Sequence, residues 1–284
     1  MIILDINQVM LSNLMMQMGS HSNMKVEVDL VRHMVLNSIR MYNNKFRDEF
    51  GDIVVACDNR KYWRKEVFPY YKANRKKDRE KSDIDWQGVF DAMHIIRNEL
   101  SEFFPYRVID IDGAEADDVI GTLVTHFGND MTQPILIMSA DKDFIQLHHY
   151  MNVKQYDPIR KKYIQHNNPS LYMKEHIIRG DSGDGIPNIL SADNCLVMGV
   201  RQKPIRQDKL DDWIKYEPEV VFRGDMLRNY KRNQQLIDLT FTPDNIREQI
   251  IKSYEMQTGK TRSHLFDYFV KNKLRNLIQS IGEY

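Results

Sequence analysis

Four short runs of mostly apolar residues, at 1–4, 53–57, 106–111 and 134–139, are continuous rather than alternating, the pattern of strands buried on both faces. Between them the apolar period changes. Val28, Val31, Val35, Ile39 and Tyr42 follow a three-to-four spacing, as do Phe90, Met93, Ile96, Leu100 and Phe103, and then Val119, Ile120, Leu123, Val124 and Phe127. Each of these segments predicts a helix with one face on a core. Strands alternating with amphipathic helices imply an α/β fold with a central, mostly parallel sheet flanked by helices. Beyond residue 169 no strand run recurs, and 171–179, 209–213, 226–239 and 263–278 read as helices separated by Gly, Pro and polar breaks. The expected organisation is an α/β part over 1–168 and a helical part over 169–284.

At 284 residues and 42% hydrophobic, the chain is long enough to bury a sizeable core. Its 40 Lys and Arg balance 40 Asp and Glu, so attraction to a polyanion must come from local patches rather than net charge. Cys57 and Cys195 have no metal-type spacing and cannot build a disulfide framework, which fits a reducing compartment. No apolar run approaches the roughly twenty residues of a membrane helix, so neither a transmembrane span nor a signal peptide is expected.

The one strong shift in composition is 60–81, with ten Lys or Arg against three acids. Cations including Arg64, Lys72, Arg75, Lys76 and Lys77 alternate with Tyr62, Trp63, Tyr70 and Tyr71. Cations neutralise phosphates and aromatic faces stack on bases, the combination that holds single-stranded nucleic acid.

The acids fall where the strands end. Asp5 closes the first run, Asp58 follows the second, and Asp141 and Asp143 follow the fourth. In a parallel sheet these ends share one edge, where ligand crevices form. Glu115, Asp117 and Asp118 open the helix after the third run. Within a helix Glu115 and Asp117 point nearly opposite ways, so both reach one ion only if Glu115 lies at or before the first turn; Glu115 with Asp118 is the competing pair. Carboxylates crowded into one cleft repel unless cations lie between them. Mg²⁺ or Mn²⁺ suits carboxylate and water ligands, whereas zinc would draw on His or Cys, which do not cluster along the chain. The tandem His148-His149 reads as surface. Two such ions activate water and stabilise the leaving oxygen in phosphodiester hydrolysis.

Seven segments occur in an order that is specific as a set: Leu4-Asp5-Ile6-Asn7-Gln8, Ala56-Cys57-Asp58-Asn59, Tyr62-Trp63-Arg64, Tyr71-Lys72-Ala73-Asn74-Arg75, Glu115-Ala116-Asp117-Asp118, Ser139-Ala140-Asp141-Lys142-Asp143-Phe144 and Gly180-Asp181-Ser182-Gly183-Asp184-Gly185-Ile186-Pro187. With them the chain resembles the structure-specific 5′-nuclease superfamily of flap endonucleases and 5′→3′ exonucleases, and within it the ribonuclease H group of T-even-type bacteriophages. The resemblance implies a PIN-like 5′-nuclease fold with a helical arch at about 60–90 and a helical C-terminal DNA-binding region containing a helix-hairpin-helix-like segment. It further implies a hydrolase that uses two Mg²⁺ ions, with Mn²⁺ able to substitute. The implied substrates are RNA·DNA hybrids, 5′ flaps and duplex 5′ ends, and the implied role is RNA primer removal in lagging-strand replication. A monomer in the cytoplasm of an infected bacterial host is expected, partnered by DNA, a single-strand-binding protein and a sliding clamp, without a membrane.

Carried over residue by residue, the resemblance implies Asp5, Asp58, Glu115, Asp117 and Asp141 around one metal ion and Asp143, Asp181 and Asp184 around a second. Lys72 and Arg75 match the arch residues that bind the scissile phosphate, and an ammonium there must keep its charge to help. Arg64 and Tyr71 match neighbouring arch positions, expected on the nucleic acid. The chain departs from the superfamily after Pro187. Where a Gly-x-Gly-x-Lys turn is usual, it reads Met198-Gly199-Val200-Arg201-Gln202-Lys203-Pro204-Ile205-Arg206, with one glycine. Duplex contact there is expected to pass to the side chains of Arg201, Lys203 and Arg206. The terminal 279–284 offers a weak signal for a protein contact.

Two other functions compete. Phosphatases with an Asp nucleophile at the first strand end need an acid two residues on, where this chain has Asn7. A catalytically decayed DNA-fork-binding protein would have lost carboxylates, and none of the expected set is missing.

Overall fold

Six strands form one sheet in the computed structural model, which describes residues 1–18 and 26–284. In chain order they are β1 (Ile2–Asp5), β2 (Ile53–Ala56), β3 (Arg107–Ile109), β4 (Ile135–Met138), β5 (Val153–Asp157) and β6 (Lys162–Ile164). The spatial order is β3-β2-β1-β4-β5-β6, parallel except for the β5–β6 hairpin. β1, β2 and β4 are buried along their whole length, as continuous Ile/Val runs require.

The four expected strands are present, and β5 and β6 add two more. Their sequences, Val-Lys-Gln-Tyr-Asp and Lys-Tyr-Ile, carry too few apolar residues for the pattern to register. Gln155 in β5 is nonetheless buried, because its amide donates to the carbonyls of Ser139 and Asp141.

Helices cover both faces of the sheet. α1 (Ile6–Met18), α2 (Val28–Phe50), α3 (Arg64–Val67), α4 (Asn74–Glu80), α5 (Trp86–Phe103), α6 (Ala116–Phe127) and α7 (Pro169–Arg179) are followed by α8 (Gln207–Trp213), α9 (Pro218–Val221), α10 (Gly224–Ile237), α11 (Asp244–Met256), α12 (Leu265–Lys271) and α13 (Arg275–Ile278). One core layer lies between the sheet and α1, α2, α5 and α12, and a second lies between the sheet and α6 and α11. A third cluster joins Phe68 and Tyr71 to α7, α8 and α10.

Details depart from the periodicity. α5 buries Val89, Ala92, Ile96 and Leu100, so the stripe runs one residue earlier than expected at its start and leaves Phe90 exposed beside Trp86 and Arg79. The helix expected over 263–278 breaks after α12, where Lys273 takes a positive φ of 57°. The C-terminal segment is no free tail: Tyr284 is fully buried against Phe104 and Phe269, and Asn43 donates to the carbonyl of Glu283. No helix among the described residues is long and apolar enough to cross a membrane.

The region at 60–85 is built from two short helices, α3 and α4. α4 buries none of its residues, so Arg75, Lys76 and Lys77 are exposed while the chain on either side is anchored.

Candidate active site

The strand order reverses between β1 and β4, which places the crevice of an open parallel sheet at their carboxyl ends. Asp5, the last residue of β1, accepts from Ser139 Oγ at 3.1 Å, and the same hydroxyl accepts from Asp141 N at 3.2 Å. Ser139 therefore ties the two carboxylate-bearing strand ends together. Asp58, beyond β2, accepts from Ala116 N at 2.7 Å at the start of α6 and from Asn7. That contact also brings the first turn of α6, with Asp117, to the same edge.

Burial and like charge raise Asp5, Asp141 and Asp117. Asp5 is pushed up to about 7, first by burial and then by Asp58 and Asp141. Asp141 opens to the cleft mouth yet is raised to about 6 by its cleft surroundings and by Asp143. Asp117 is raised well above the carboxylate range by burial and by Asp141. Such a set favours a cation between its members.

A second group lies beside it. His176 Nε2 is 2.9 Å from Asp143 Oδ1 and 3.9 Å from Asp181 Oδ2. Burial pulls the His176 pKa down, but the hydrogen bond and charge of Asp143 outweigh it and hold it above its ordinary value. Asp181 is raised by burial, Asp184 and Asp143. Its Oδ1 accepts from Gly183 N and Asp184 N, closing the loop after α7 into a tight turn. Gly180 (φ 67°) and Gly185 (φ 75°) permit this turn; a Cβ on Gly180 would lie 2.4 Å from the Ile186 carbonyl oxygen.

The basic segment enters through paired charges. Arg64 is fully buried, and its Nη1 donates to Glu115 Oε2 and Asp118 Oδ2, both at 2.9 Å, while Nε reaches the Leu236 carbonyl at the end of α10. Tyr71 OH lies 3.1 Å from Glu115 Oε2 and 2.9 Å from Asp184 Oδ2, and its single proton can be donated to either. Lys72 Nζ lies 2.5 Å from Glu115 Oε1 and 3.4 Å from Asp184 Oδ2, and Arg75 pairs with Asp184. Burial works against the Lys72 charge, but Asp184 and Glu115 prevail and hold it ionised far above neutral pH. Lys72 and Arg75 keep Asp184 below the usual carboxylate range despite its burial.

Several expectations are corrected by this geometry. Arg64 and Tyr71 face inward, with Trp63, and are unavailable to a nucleic acid, because the acids of α6 draw them into the core. Both oxygens of Glu115 lie within hydrogen-bond distance of Lys72, Arg64 and Tyr71, contacts that tie the basic segment to the start of α6. Asp184 is likewise contacted by Tyr71 and Arg75. Asp118 is structural. It accepts from Arg64, Trp63, Thr242 and the Glu115 backbone, completing a capping box on α6. His148 is half-buried on Gln155 rather than at the surface. Arg201, Lys203 and Arg206 are exposed around a turn with its single positive φ at Gly199.

The chain carries the matching family signatures over its whole length. Residues 2–178 match the "5'-3' exonuclease, N-terminal resolvase-like domain" profile and residues 168–284 match "T4 RNase H, C terminal". The chain belongs to the 5′-3′ exonuclease family. Among its relatives, Ribonuclease H of Enterobacteria phage T4 is 35% identical over 99% of this chain and 95% of its own. The 5'-3' exonuclease of Buchnera aphidicola is 29% identical over 55% of this chain and 53% of its own. The flap endonuclease of bacteriophage T5, solved as a pseudo-enzyme-product complex with DNA and metal ions, shares the fold with a TM-score of 0.61 at 17% identity, covering 90% of this chain and 98% of that one. A further structure of that T5 protein, co-crystallised with metal ions, gives a TM-score of 0.62 over 90% and 98% of the two chains. As a 5′-3′ exonuclease family member, the protein is a hydrolytic 5′ nuclease.

Some residues of the site are not singled out in the sequence. Asn7, Gln8 and Ser139 orient the acids of β1 and β4; Gln8 Oε1 accepts from Ala140 N. Asn7 and Gln8 were visible beside Asp5 but carried no charge to mark them. His176 faces Asp143 and stacks on Tyr172, one helical turn earlier. Its only sequence signal is its place four residues before Gly180.

The raised Asp5 carries a stability consequence. Between about pH 4 and 7 the unfolded chain releases the Asp5 proton while the folded protein retains it, so this group removes stability as pH rises. Asp5→Asn is therefore expected to stabilise the metal-free protein by about 2–4 kcal/mol at pH 8 and by little at pH 4. Urea denaturation at the two pH values checks this, and equal effects at both would contradict it.

Proposed function

We propose that this nuclease hydrolyses RNA·DNA hybrids, 5′ flaps and duplex DNA 5′ ends in the 5′→3′ direction, using two divalent ions, Mg²⁺ in the cell with Mn²⁺ able to substitute. The supporting observation is the meeting of two charge sets: raised carboxylates at the β1 and β4 ends and in the first turn of α6, and Lys72 with Arg75 beside them. Hard oxygen donors whose mutual repulsion raises their pKa values fit hard cations. Asp5, Asp58, Asp117 and Asp141 would hold one ion, and Asp143 and Asp181 a second. Glu115 and Asp184 would hold Lys72 and Arg75 in place. Ions so bound would supply an activated water and neutralise the leaving oxygen.

The protein's own contribution is orientation and charge. Lys72, kept ionised by Asp184 and Glu115, offers a fixed positive charge for a phosphate oxygen. Arg75, half-exposed, supplies a second donor at the cleft mouth. Lys76 and Lys77 extend the cationic surface along α4 toward the 5′ strand. In this reading 1–168 carries the chemistry with the arch, and 169–284 grips duplex and lends the second group of acids. On this reading the enzyme removes primers as a monomer, beside a single-strand-binding protein and a sliding clamp.

Cleavage of a 5′-labelled RNA-primed duplex and of a 5′-flap substrate, with and without Mg²⁺, tests the proposal. Short 5′ products that require the ion are expected. Tight fork binding without cleavage in Mg²⁺ or Mn²⁺ would replace it with the decayed fork-binding reading. Separately, the triple variant Arg201→Ala, Lys203→Ala, Arg206→Ala is expected to reduce the slope of log K against log salt for duplex binding by up to about 2–3. An unchanged slope would remove these side chains from the interface.

A further inference from the structure

Histidines do not cluster along the chain, yet the fold brings one of them to the acidic cleft. Among the described residues, Asp143, His176 and Asp181 are the one group of three whose ligand atoms all lie within 4.8 Å of one another. Their separations are informative. Two ligands each about 2.1 Å from one ion stand about 3.0 Å apart at a right angle and about 4.2 Å apart when opposite. The 2.9 Å from His176 Nε2 to Asp143, a hydrogen bond whose proton an ion would replace, and the 3.9 Å to Asp181 fall at or inside that interval.

The ring is also aimed. It stacks on Tyr172 with centroids 5.8 Å apart and planes at 26°, on the face of α7 that meets the 3₁₀ helix Lys142–His149 carrying Asp143. Asp181 lies two residues beyond the end of the same helix, in the tight turn that its own carboxylate closes, so the imidazole and this carboxylate are presented close together.

We infer that His176 is a nitrogen ligand of the second ion, making this a mixed nitrogen–oxygen site with Asp143 and Asp181. The inference rests on the two-ion reading above and changes its chemistry. Imidazole favours borderline ions such as Co²⁺ or Zn²⁺ over Mg²⁺, whose ligands are overwhelmingly oxygen. The second site therefore selects a softer ion than the carboxylate-only first site.

Electron spin-echo spectroscopy of the full-length protein loaded with Mn²⁺ reads the bond directly. Modulation from a coordinated ¹⁴N is expected in the wild type and lost in His176→Gln. Calorimetric titration with Co²⁺ and with Mg²⁺ supplies the second readout. His176→Gln should weaken one class of Co²⁺ sites about tenfold or more while changing Mg²⁺ binding by much less. His176→Asp, which restores an oxygen ligand, should recover ion binding without the nitrogen signal, so a folding defect in the Gln variant cannot imitate the result. If the wild type binds Mn²⁺ and cleaves DNA but shows no nitrogen modulation, or if His176→Gln binds Co²⁺ equally or more tightly, His176 is a displaceable counter-charge and the inference falls while the nuclease reading stands. If the wild type neither binds the ions nor cleaves, both fall.

Discussion

Replacing Arg64 with methionine is expected to lower stability by about 3–5 kcal/mol, enough to unfold a large share of the protein at 37 °C. The guanidinium is almost wholly enclosed, with 2% of its side chain exposed, and faces Glu115 and Asp118 at 2% and 0%. Methionine fills much of the volume but leaves two buried carboxylates with less compensating charge, the costly half of breaking a buried ion pair. The Leu236 carbonyl at the end of α10 also loses its donor. Arg64→Lys should not rescue, because one ammonium cannot serve Glu115, Asp118 and Leu236 from the positions of a planar fork. Adding Asp118→Asn to Arg64→Met should recover part of the loss by removing one uncompensated charge. Urea denaturation of the three variants measures each quantity. A loss below about 1 kcal/mol for Arg64→Met would mean that the pair contributes little beyond its own desolvation cost.

This residue marks where the sequence stops being legible. A run of ten cations reads as a solvated or nucleic-acid-facing surface, since nothing in it reveals that Arg64 lies opposite two acids on α6. Burial of Arg64, Trp63 and Tyr71 depends on pairing across more than forty residues, which local pattern does not encode. By contrast, β1, β2 and β4 could be read because four consecutive buried apolar residues leave few alternatives, and the placement of Asp5, Asp58 and Asp141 followed from strand polarity alone. α11 was missed because Ile246 and Ile250 are its only fully buried residues, too few for a stripe. β5 was missed because its buried Gln155 satisfies two carbonyls that belong to the β4 end. For Arg64 and for β5 the hidden feature is a polar group whose partner lies elsewhere in the sequence.

The site shows the same division. Acids that end strands could be placed in advance, whereas their partners could not: Glu115 and Asp184 are bound by donors of the basic segment, and His176 stands between Asp143 and Asp181. The physical consequence is a sorting of the carboxylates. Those facing Lys72, Arg75 and Arg64 serve to hold cations, and those at the β1 and β4 ends retain raised pKa values.

That sorting makes Lys72 the residue on which cleavage should depend most. Lys72→Ala is expected to reduce the cleavage rate by about 10²–10³-fold, the size of effect seen when a preorganised charge aimed at a transition state is removed. Binding of the same substrate, measured by fluorescence anisotropy, should weaken only a few-fold, because Arg75, Lys76 and Lys77 remain on the exposed surface of α4. The backbone supplies an internal control. Lys72 sits at φ 54°, in the left-handed region, and its N–H donates to the Asp184 carbonyl at 2.7 Å. Lys72→Gly should therefore be more stable than Lys72→Ala by about 1 kcal/mol, through relief of the Cβ strain, yet equally slow in cleavage. If the Gly variant regained activity in proportion to its stability, the loss in the Ala variant would reflect loop disorder. Equal rates in two variants of different stability would instead assign the loss to the missing ammonium, which Glu115 and Asp184 hold at the edge of the carboxylate cleft.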